Sequence, residues 1–518
     1  MHINSIAFLS NTITKPFERF LKEYSLTHYP LDTIIDTLYS KVDEELLILL
    51  LDVSFFGENY DENFSLLANA LHHFRQNNST KLIINTVDDE FNEIFTPDYI
   101  NKELALLTLN QKISSLQKTI TDVAVLDFYT LCKEHGSKNL LSQRNRYLFQ
   151  TPFTKMATEL VSFKIKELIS LFHTPRIKAI AVDADNTLWG GIIGEDGLSG
   201  IKIDNNYPGI IYKKFQNYLL ELKNSGIILI LLSKNDESAV HEVFSKKNMP
   251  LKLDDFVATA VNWNSKSENL SAILKDLSLT KTGIIFLDDS TTEIEEMSQR
   301  MQIECFKMNP SNPLQNLETL KNITALKTLH VSDEDAKKTA LYRDEKERAT
   351  LNSTLQSKDD FIASLHIEIS VTCNNVHHLE RITQLTNKTN QFNLTTKRYE
   401  LSQIKELMQN GFVYDFSVSD KFGDMGLIGV VIIIDNAIDS FLLSCRVLGR
   451  GIEECVLDFI TRRHQNLRAV YSKTEKNSLV EEFYEKNGFE LIQTLDDKHY
   501  KFKNFADINE SIKVNYES

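Results

Sequence analysis

Residues 178–187 read KAIAVDADNT. The first five positions, apolar from Ala179 to Val182, have the length and composition of a strand buried on both faces. The run ends on Asp183 and Asp185, two carboxylates two residues apart, followed by Asn186 and Thr187. In an open α/β sheet, ligands bind outside the carboxyl ends of the strands, so both acids fall on the chemically active edge. Two carboxylates aimed at one point repel each other, and neither tolerates an anionic substrate nearby, unless a divalent cation shares the space.

Three further signals follow in order. Ser233 comes directly after the apolar run 227–232, where its hydroxyl, the following backbone N–H groups and Lys234 suit phosphoryl oxygens. Lys266, within WNSKSEN (263–269), opens a helical pattern. A fixed ammonium there neutralises charge on a transferred phosphoryl group and on Asp183. Asp288 and Asp289 close the run 283–287, and one or both are expected to hold magnesium, directly or through water. A lone strand-end acid is more simply a helix cap. The ordered set D-x-D-x-T, Ser, Lys, Asp-Asp, each after an apolar run or at a helix start, is far more specific.

The same rhythm of short apolar runs and longer amphipathic stretches extends to both sides. Residues 1–175 carry runs at 5–9, 46–53, 81–86 and 123–128. Residues 176–335 carry KAIAVD, GIILILLS, DFVATA, GIIFLDD and QIECF. Such alternation predicts an α/β fold with parallel sheets, Rossmann-like in the central part. Residues 336–358 are charged and read as a connecting helix, and residues 359–518 as an α+β domain, with a peripheral tail after Phe505.

The chain has 518 residues, 42% hydrophobic and 25% charged, with a net charge of −15. That balance argues against generic binding to nucleic acid or anionic membranes and leaves small phosphorylated substrates open. No apolar run reaches the roughly 18 residues of a membrane span, and the first residues lack the basic start of a signal peptide. Five scattered cysteines with no CxxC read as reduced thiols of a cytoplasmic protein. The pairs His72-His73 and His377-His378 read as surface or loop residues, and Trp189 as packing.

The motifs resemble those of the haloacid dehalogenase superfamily, and more closely its FkbH-like subgroup (subfamily IIIC), through AVDADNTLWGGIIGEDG (181–197), LLSKND (231–236), WNSKSEN and FLDDS (286–290). QLTNKTNQFNLTTKRY (384–399), DKFGDMGLIG (420–429) and SCRVLGRGIEE (444–454) extend the likeness. The resemblance implies that Asp183 is the nucleophile, forming an aspartyl-phosphate, and that Asp185 is the acid and then the base. It implies Mg2+ on Asp183, the backbone carbonyl of Asp185, and Asp288 with or without Asp289, and phosphate on Thr187, Ser233, Lys234 and Lys266. Only 45 residues separate Thr187 from Ser233. They leave room for GGIIGEDG as a small hairpin flap and one helix, and for no large cap.

The third part resembles an N-acetyltransferase-type fold. Its loop Arg446-Val-Leu-Gly449-Arg450-Gly451 matches R-x-x-G-x-G, which with Asn477 implies binding of phosphopantetheine or coenzyme A; the alternative is a structural domain. The first part loosely resembles an SGNH-hydrolase fold with Ser10 after the first strand, but Asp127 and His135 have the wrong spacing for a catalytic pair, so it reads as non-catalytic. By resemblance, the function is transfer of a glyceryl unit from 1,3-bisphosphoglycerate to an acyl carrier protein thiol, with phosphate removal, in support of polyketide or related assembly. The alternatives are a phosphatase of another metabolite, in polysaccharide or lipid synthesis, and a carrier-docking scaffold. Where relatives often carry Cys between the two motif aspartates, this chain has Ala184. Cys445 is the remaining relay candidate, against a plainer reading as a small strand-end residue, and direct transfer to an external thiol is the expectation.

Overall fold

The computed structural model describes residues 3–89, 97–277, 279–329, 331, 333–355, 357–494, 497–505 and 508–517. The chain forms two compact units, Met1–Thr339 and Ala340–Ser518.

The first unit contains two all-parallel sheets. In one, β1 (Ser5–Ser10), β2 (Ser25–His28), β3 (Leu46–Leu50), β4 (Lys81–Asn85) and β5 (Val123–Leu126) lie in the order β2-β1-β3-β4-β5. In the other, β6 (Ala179–Val182), β7 (Ile228–Ser233), β8 (Phe256–Val261), β9 (Ile284–Asp288) and β10 (Glu304–Lys307) lie in the order β10-β9-β6-β7-β8. Every residue of β3, β6, β7 and β9 is buried. That is why these strands read as unbroken apolar runs rather than alternating ones: helices cover both faces. The α/β class expected from the alternation is the class observed. The edge strand β2, SLTH, escaped notice because its burial alternates and it has no apolar run.

In the second sheet, β6 is central. Its neighbours β7 and β9 come from successive halves of the domain, so the strand order reverses at β6. The crevice at such a reversal, at the carboxyl ends, is where this fold makes its sites.

The segment 190–202 is not the hairpin its glycines suggested. Gly190 and Lys202 form one antiparallel bridge, and between them Ile193–Gly200 is helical with a kink at Gly197. Asp196 accepts from the Ile192 N–H at 2.8 Å, tying the helix start to itself. Gly191 has φ 97°, and a Cβ there would meet Asp196 Oδ2 at 2.7 Å, so a side chain is excluded on both counts.

The second unit is built on one mixed sheet. Its strands are β11 (Glu368–Cys373), β12 (Phe392–Asn393), β13 (Phe412–Asp420), β14 (Gly423–Ile434), β15 (Ala437–Leu443), β16 (Arg468–Tyr471), β17 (Phe489–Thr494), β18 (Lys498–Phe502) and β19 (Lys513–Tyr516). The order is β17-β18-β16-β15-β14-β13-β11-β19, with β12 also paired to β15. The tail is therefore not peripheral: β19 adds an edge strand parallel to β11, and Ile512 is buried in the core. Arg348, almost fully buried, makes a two-pronged ion pair with Asp420 at 2.6 and 2.8 Å. The charged stretch 336–358 is thus held by a specific buried pair.

Candidate active site

The carboxyl ends of β6, β7 and β9 bring together Asp183, Ser233 and Asp288, which are 105 residues apart at most in sequence. Asp183 stays in the sheet ladder through its N–H, which donates to the Leu287 carbonyl at 2.9 Å. From the next helix, Lys266–Asp276, comes Lys266 at its first position, with Ser265 as the N-cap. Lys266 Nζ lies 2.6 Å from Asp183 Oδ1 and 2.6 Å from Asp288 Oδ2, and all three side chains are buried. Carboxylate oxygens of Asp183, Asp288 and Asp289 lie within 4.8 Å of one another. Asp185 contributes no side-chain oxygen to that cluster, which leaves its backbone carbonyl as the expected contribution.

The electrostatics follow from burial. Burial pushes the Asp183 acid up to about 8, offset in part by Lys266 and reinforced by Asp288. Burial also raises Asp288 and Asp289. Burial alone would lower Lys266, but Asp183 and Asp288 outweigh it and hold its ammonium charged. Three clustered acids against one ammonium leave a site short of positive charge. The donor set is hard and all-oxygen, which fits Mg2+ rather than a soft metal.

Asp185 faces elsewhere. Its Oδ1 accepts from Trp189 Nε1 at 2.8 Å and from the Ile193 N–H at 3.1 Å, and its Oδ2 accepts from Asn235 Nδ2 at 2.9 Å. Asn235 also donates to Ser233 Oγ at 2.9 Å, so one amide fixes both residues. Trp189 is fully buried, as expected of packing, yet its N–H orients the acid. Asn186, in the left-handed region at φ 56°, donates to Asp289 Oδ2 at 3.1 Å and accepts from the Gly191 N–H at 3.0 Å. Asn tolerates that conformation better than most residues. Trp189, Asn186 and Asn235 were missed as functional positions. Their signal lay in the quoted motifs DNTLWGG and SKND, where polar groups sit immediately beside the motif acids.

Thr187 Oγ1 is buried and has no hydrogen-bond partner among the described residues. A buried orphan hydroxyl at this position is consistent with a missing ligand oxygen. Lys234, expected on phosphate, is instead paired with Glu293 Oε1 at 2.6 Å.

In the second unit the expected phosphate loop is arranged differently. The Gly449 N–H donates to Glu453 at 2.8 Å, and Arg450 is buried and paired with Glu345 at 2.5 Å. Arg446 lies beside Ser444. Gly451, φ 83°, caps the helix Ile452–Arg463, whose first turn carries Glu453 and Glu454. A helix start already occupied by two carboxylates repels a phosphate. Asn477 is fully buried: its amide donates to the carbonyls of Asn393 at 3.0 Å and Ser472 at 2.9 Å, and its oxygen accepts from the Thr474 N–H at 2.8 Å. These residues do not fit phosphopantetheine or coenzyme A as placed here. Cys445 opens a short 3-10 turn, and its side chain lies outside the described residues. In the first sheet, Ser10 is buried with its hydroxyl donated to the Leu50 carbonyl, and Asp52 is held by Arg146.

No protein-family model and no curated protein matches the chain. Among solved structures, the chain is similar to the N-terminal part of a Bacteroides fragilis protein containing a phosphatase domain, complexed with Mg, at 20% identity. The match covers 64% of this chain and 95% of that one, with a TM-score of 0.48. It is also similar to a haloacid dehalogenase-family enzyme of Bacteroides thetaiotaomicron in complex with magnesium and inorganic phosphate, at 16% identity over 25% of this chain and 93% of that one, with a TM-score of 0.19. Both likenesses are too distant to carry an argument about function.

Proposed function

We propose that this chain is a magnesium-dependent phosphoryl-transfer enzyme of the haloacid dehalogenase type, with Asp183 as nucleophile. The observation that carries the reading is the convergence of Asp183, Asp288 and Asp289 around Lys266 at the carboxyl edge of a parallel sheet. Bound magnesium, held by those acids and the Asp185 carbonyl, would supply the positive charge that lets a phosphate approach them. Asp183 Oδ attacks phosphorus, and the bond from phosphorus to the leaving oxygen breaks as an aspartyl-phosphate forms. Asp185 gives its proton to that oxygen, then takes one from a water whose oxygen displaces Asp183 from phosphorus, releasing phosphate. Lys266, Ser233 and Thr187 hold the phosphoryl oxygens. The nearby amide of Asn235 and indole of Trp189 keep Asp185 in place.

The finer reading is glyceryl transfer from 1,3-bisphosphoglycerate to an acyl carrier protein thiol, followed or accompanied by phosphate release. The connection from Thr187 to Ser233 holds only the helices Ile193–Gly200 and Gly209–Asn224 and leaves no room for a large cap, which suits a substrate that a second macromolecule must also reach. A second reading, hydrolysis of another phosphorylated metabolite, is favoured by the second unit, whose loop and Asn477 do not fit a pantetheine phosphate.

Two experiments address the two levels. Release of phosphate from an aryl phosphate should need magnesium, should vanish in Asp183→Asn, and should fall by about 10²–10⁴-fold in Asp185→Asn. Full activity of Asp183→Asn would falsify the nucleophile assignment. Incubation with 1,3-bisphosphoglycerate and a panel of carriers, read by intact mass, separates the two finer readings: a glyceryl adduct supports the first, and phosphate release without an adduct supports the second.

A further inference from the structure

The first sheet's domain carries an open cleft of about 1200 Å3, well away in sequence from the phosphoryl motifs. Its lining includes Lys15, Arg19, Lys22 and Lys155 against one acid, Glu18, which already pairs with His28 at 3.1 Å. None of the four cations forms an ion pair with the described residues, and all four are exposed. In a chain of net charge −15, this is a local reversal of sign. The same lining includes three consecutive apolar side chains at the end of the helix Gln143–Phe149: Tyr147 is 81% exposed, Leu148 61% and Phe149 59%. A monomer gains nothing from presenting such a run to water, and exposed apolar side chains grouped with cations in one cleft make a recognition surface.

Size and charge select the occupant. The cleft exceeds the roughly 300–1,000 Å3 of ordinary metabolite pockets. Its volume is about that of three turns of α-helix, roughly 10 Å across and 15 Å long. The geometry points to a docking cleft for an acidic amphipathic helix of the partner protein that carries the acceptor thiol. This rests on the carrier-loading reading of the phosphoryl site. The helix lays its apolar face on Tyr147, Leu148 and Phe149 and its carboxylates against Lys15, Arg19 and Lys22. The cations set the encounter rate and its salt dependence, and the apolar side chains set the residence time.

The test uses the full chain, the charge-reversed variant Lys15→Glu/Arg19→Glu/Lys22→Glu and the apolar-to-polar variant Leu148→Ser/Phe149→Ser. Fluorescence anisotropy with labelled carrier proteins, some with and some without an acidic amphipathic helix, is read alongside glyceryl loading. Aryl phosphate hydrolysis reports that the variants are folded. Carriers with such a helix should bind the unmodified chain, more weakly as salt rises. Both variants should weaken binding by at least tenfold and slow loading at low carrier concentration, with hydrolysis unchanged. Equal binding and loading by the variants overturns the docking inference and leaves the functional reading standing. Failure of the unmodified chain to load any carrier overturns the functional reading and this inference with it. Loss in the variants of binding to anionic phospholipid vesicles, or of self-association in sedimentation, with carrier binding intact, reassigns the cleft to a membrane or to a second copy.

Discussion

Asp183 is a buried acid whose neighbours decide its charge. Burial raises it to about 8, far above the roughly 3.9 of an unfolded aspartate. A folded-state pKa raised this way contributes stability that is complete below about pH 4 and is lost as pH rises through about 8. Lys266 stays charged throughout that range, so the loss comes from the acids. A divalent cation replaces those protons, and its binding therefore strengthens over the same window. The expected result is that millimolar MgCl2 raises the melting temperature more at about pH 8 than at about pH 6. An equal shift at both values, or a larger one at low pH, would count against the three-acid metal site. At this scale the sequence was most legible where residue type and position suffice. Strand-end acids, a strand-end serine and a helix-start lysine are visible in the chain because burial and position are encoded in the apolar runs. The partners of Asp185 were not visible, because a hydrogen bond from Asn235, 50 residues away, depends on two strands being neighbours.

Elements explain why the second unit was read less well. β15 and β16 are parallel neighbours only at Ala437 with Arg468 and Ile438 with Ala469. Farther along, the chain itself stands beside β15: Phe392 pairs with Leu443 and Asn393 with Leu442. The Leu394 N–H donates to the Phe441 carbonyl at 3.0 Å, and the Ser472 N–H donates to the Leu394 carbonyl at 2.8 Å. Residues 392–394 thus join β15 to the end of β16, and Asn477 pins them through the Asn393 carbonyl. A two-residue strand has no periodicity to read, so nothing along the chain marks Asn477 as a residue used inside the protein. Asn477→Ala removes a fully buried amide and leaves the Asn393 and Ser472 carbonyls and the Thr474 N–H short of partners. Each such orphan costs about 1–3 kcal/mol before relaxation, so the expected loss is about 2–4 kcal/mol, measured by urea unfolding. Phosphate release at saturating substrate should be unchanged. A variant of undiminished stability that no longer loads carrier would instead restore Asn477 as a ligand residue.

At the scale of the molecule, the residues proposed for phosphoryl chemistry and their supports all lie in one unit. Asp183, Asp185, Ser233, Lys266, Asp288 and Asp289, together with Asn186, Trp189, Asn235 and Glu293, lie between residues 183 and 293. The unit Met1–Thr339 also keeps its own late ties: Lys327 pairs with Glu167, and Gln117 donates to the Leu329 carbonyl. Asp335 packs so close to Gly226 that a Cβ there would meet it at 2.7 Å, and it attracts Arg176. A cut directly after the last central strand would sever these contacts, whereas a cut after Thr339 spares them all. The shortened chain of residues 1–339 is therefore expected to hydrolyse an aryl phosphate with kcat within about threefold of the full chain and with the same magnesium requirement, because every hydrogen bond and ion pair named at the site is made within residues 183–293. Glyceryl loading of a carrier by the same fragment is the sharper measurement. The fragment retains the basic cleft and the phosphoryl site, and Ala184 and the second unit's loop provide no covalent relay that its loss would remove. Loading should then survive as well. Hydrolysis retained with loading abolished would place an essential step of acyl transfer in residues 340–518 and revive Cys445 as its carrier, while loss of both activities with a normal far-ultraviolet spectrum would show that the phosphoryl site depends on the second unit after all.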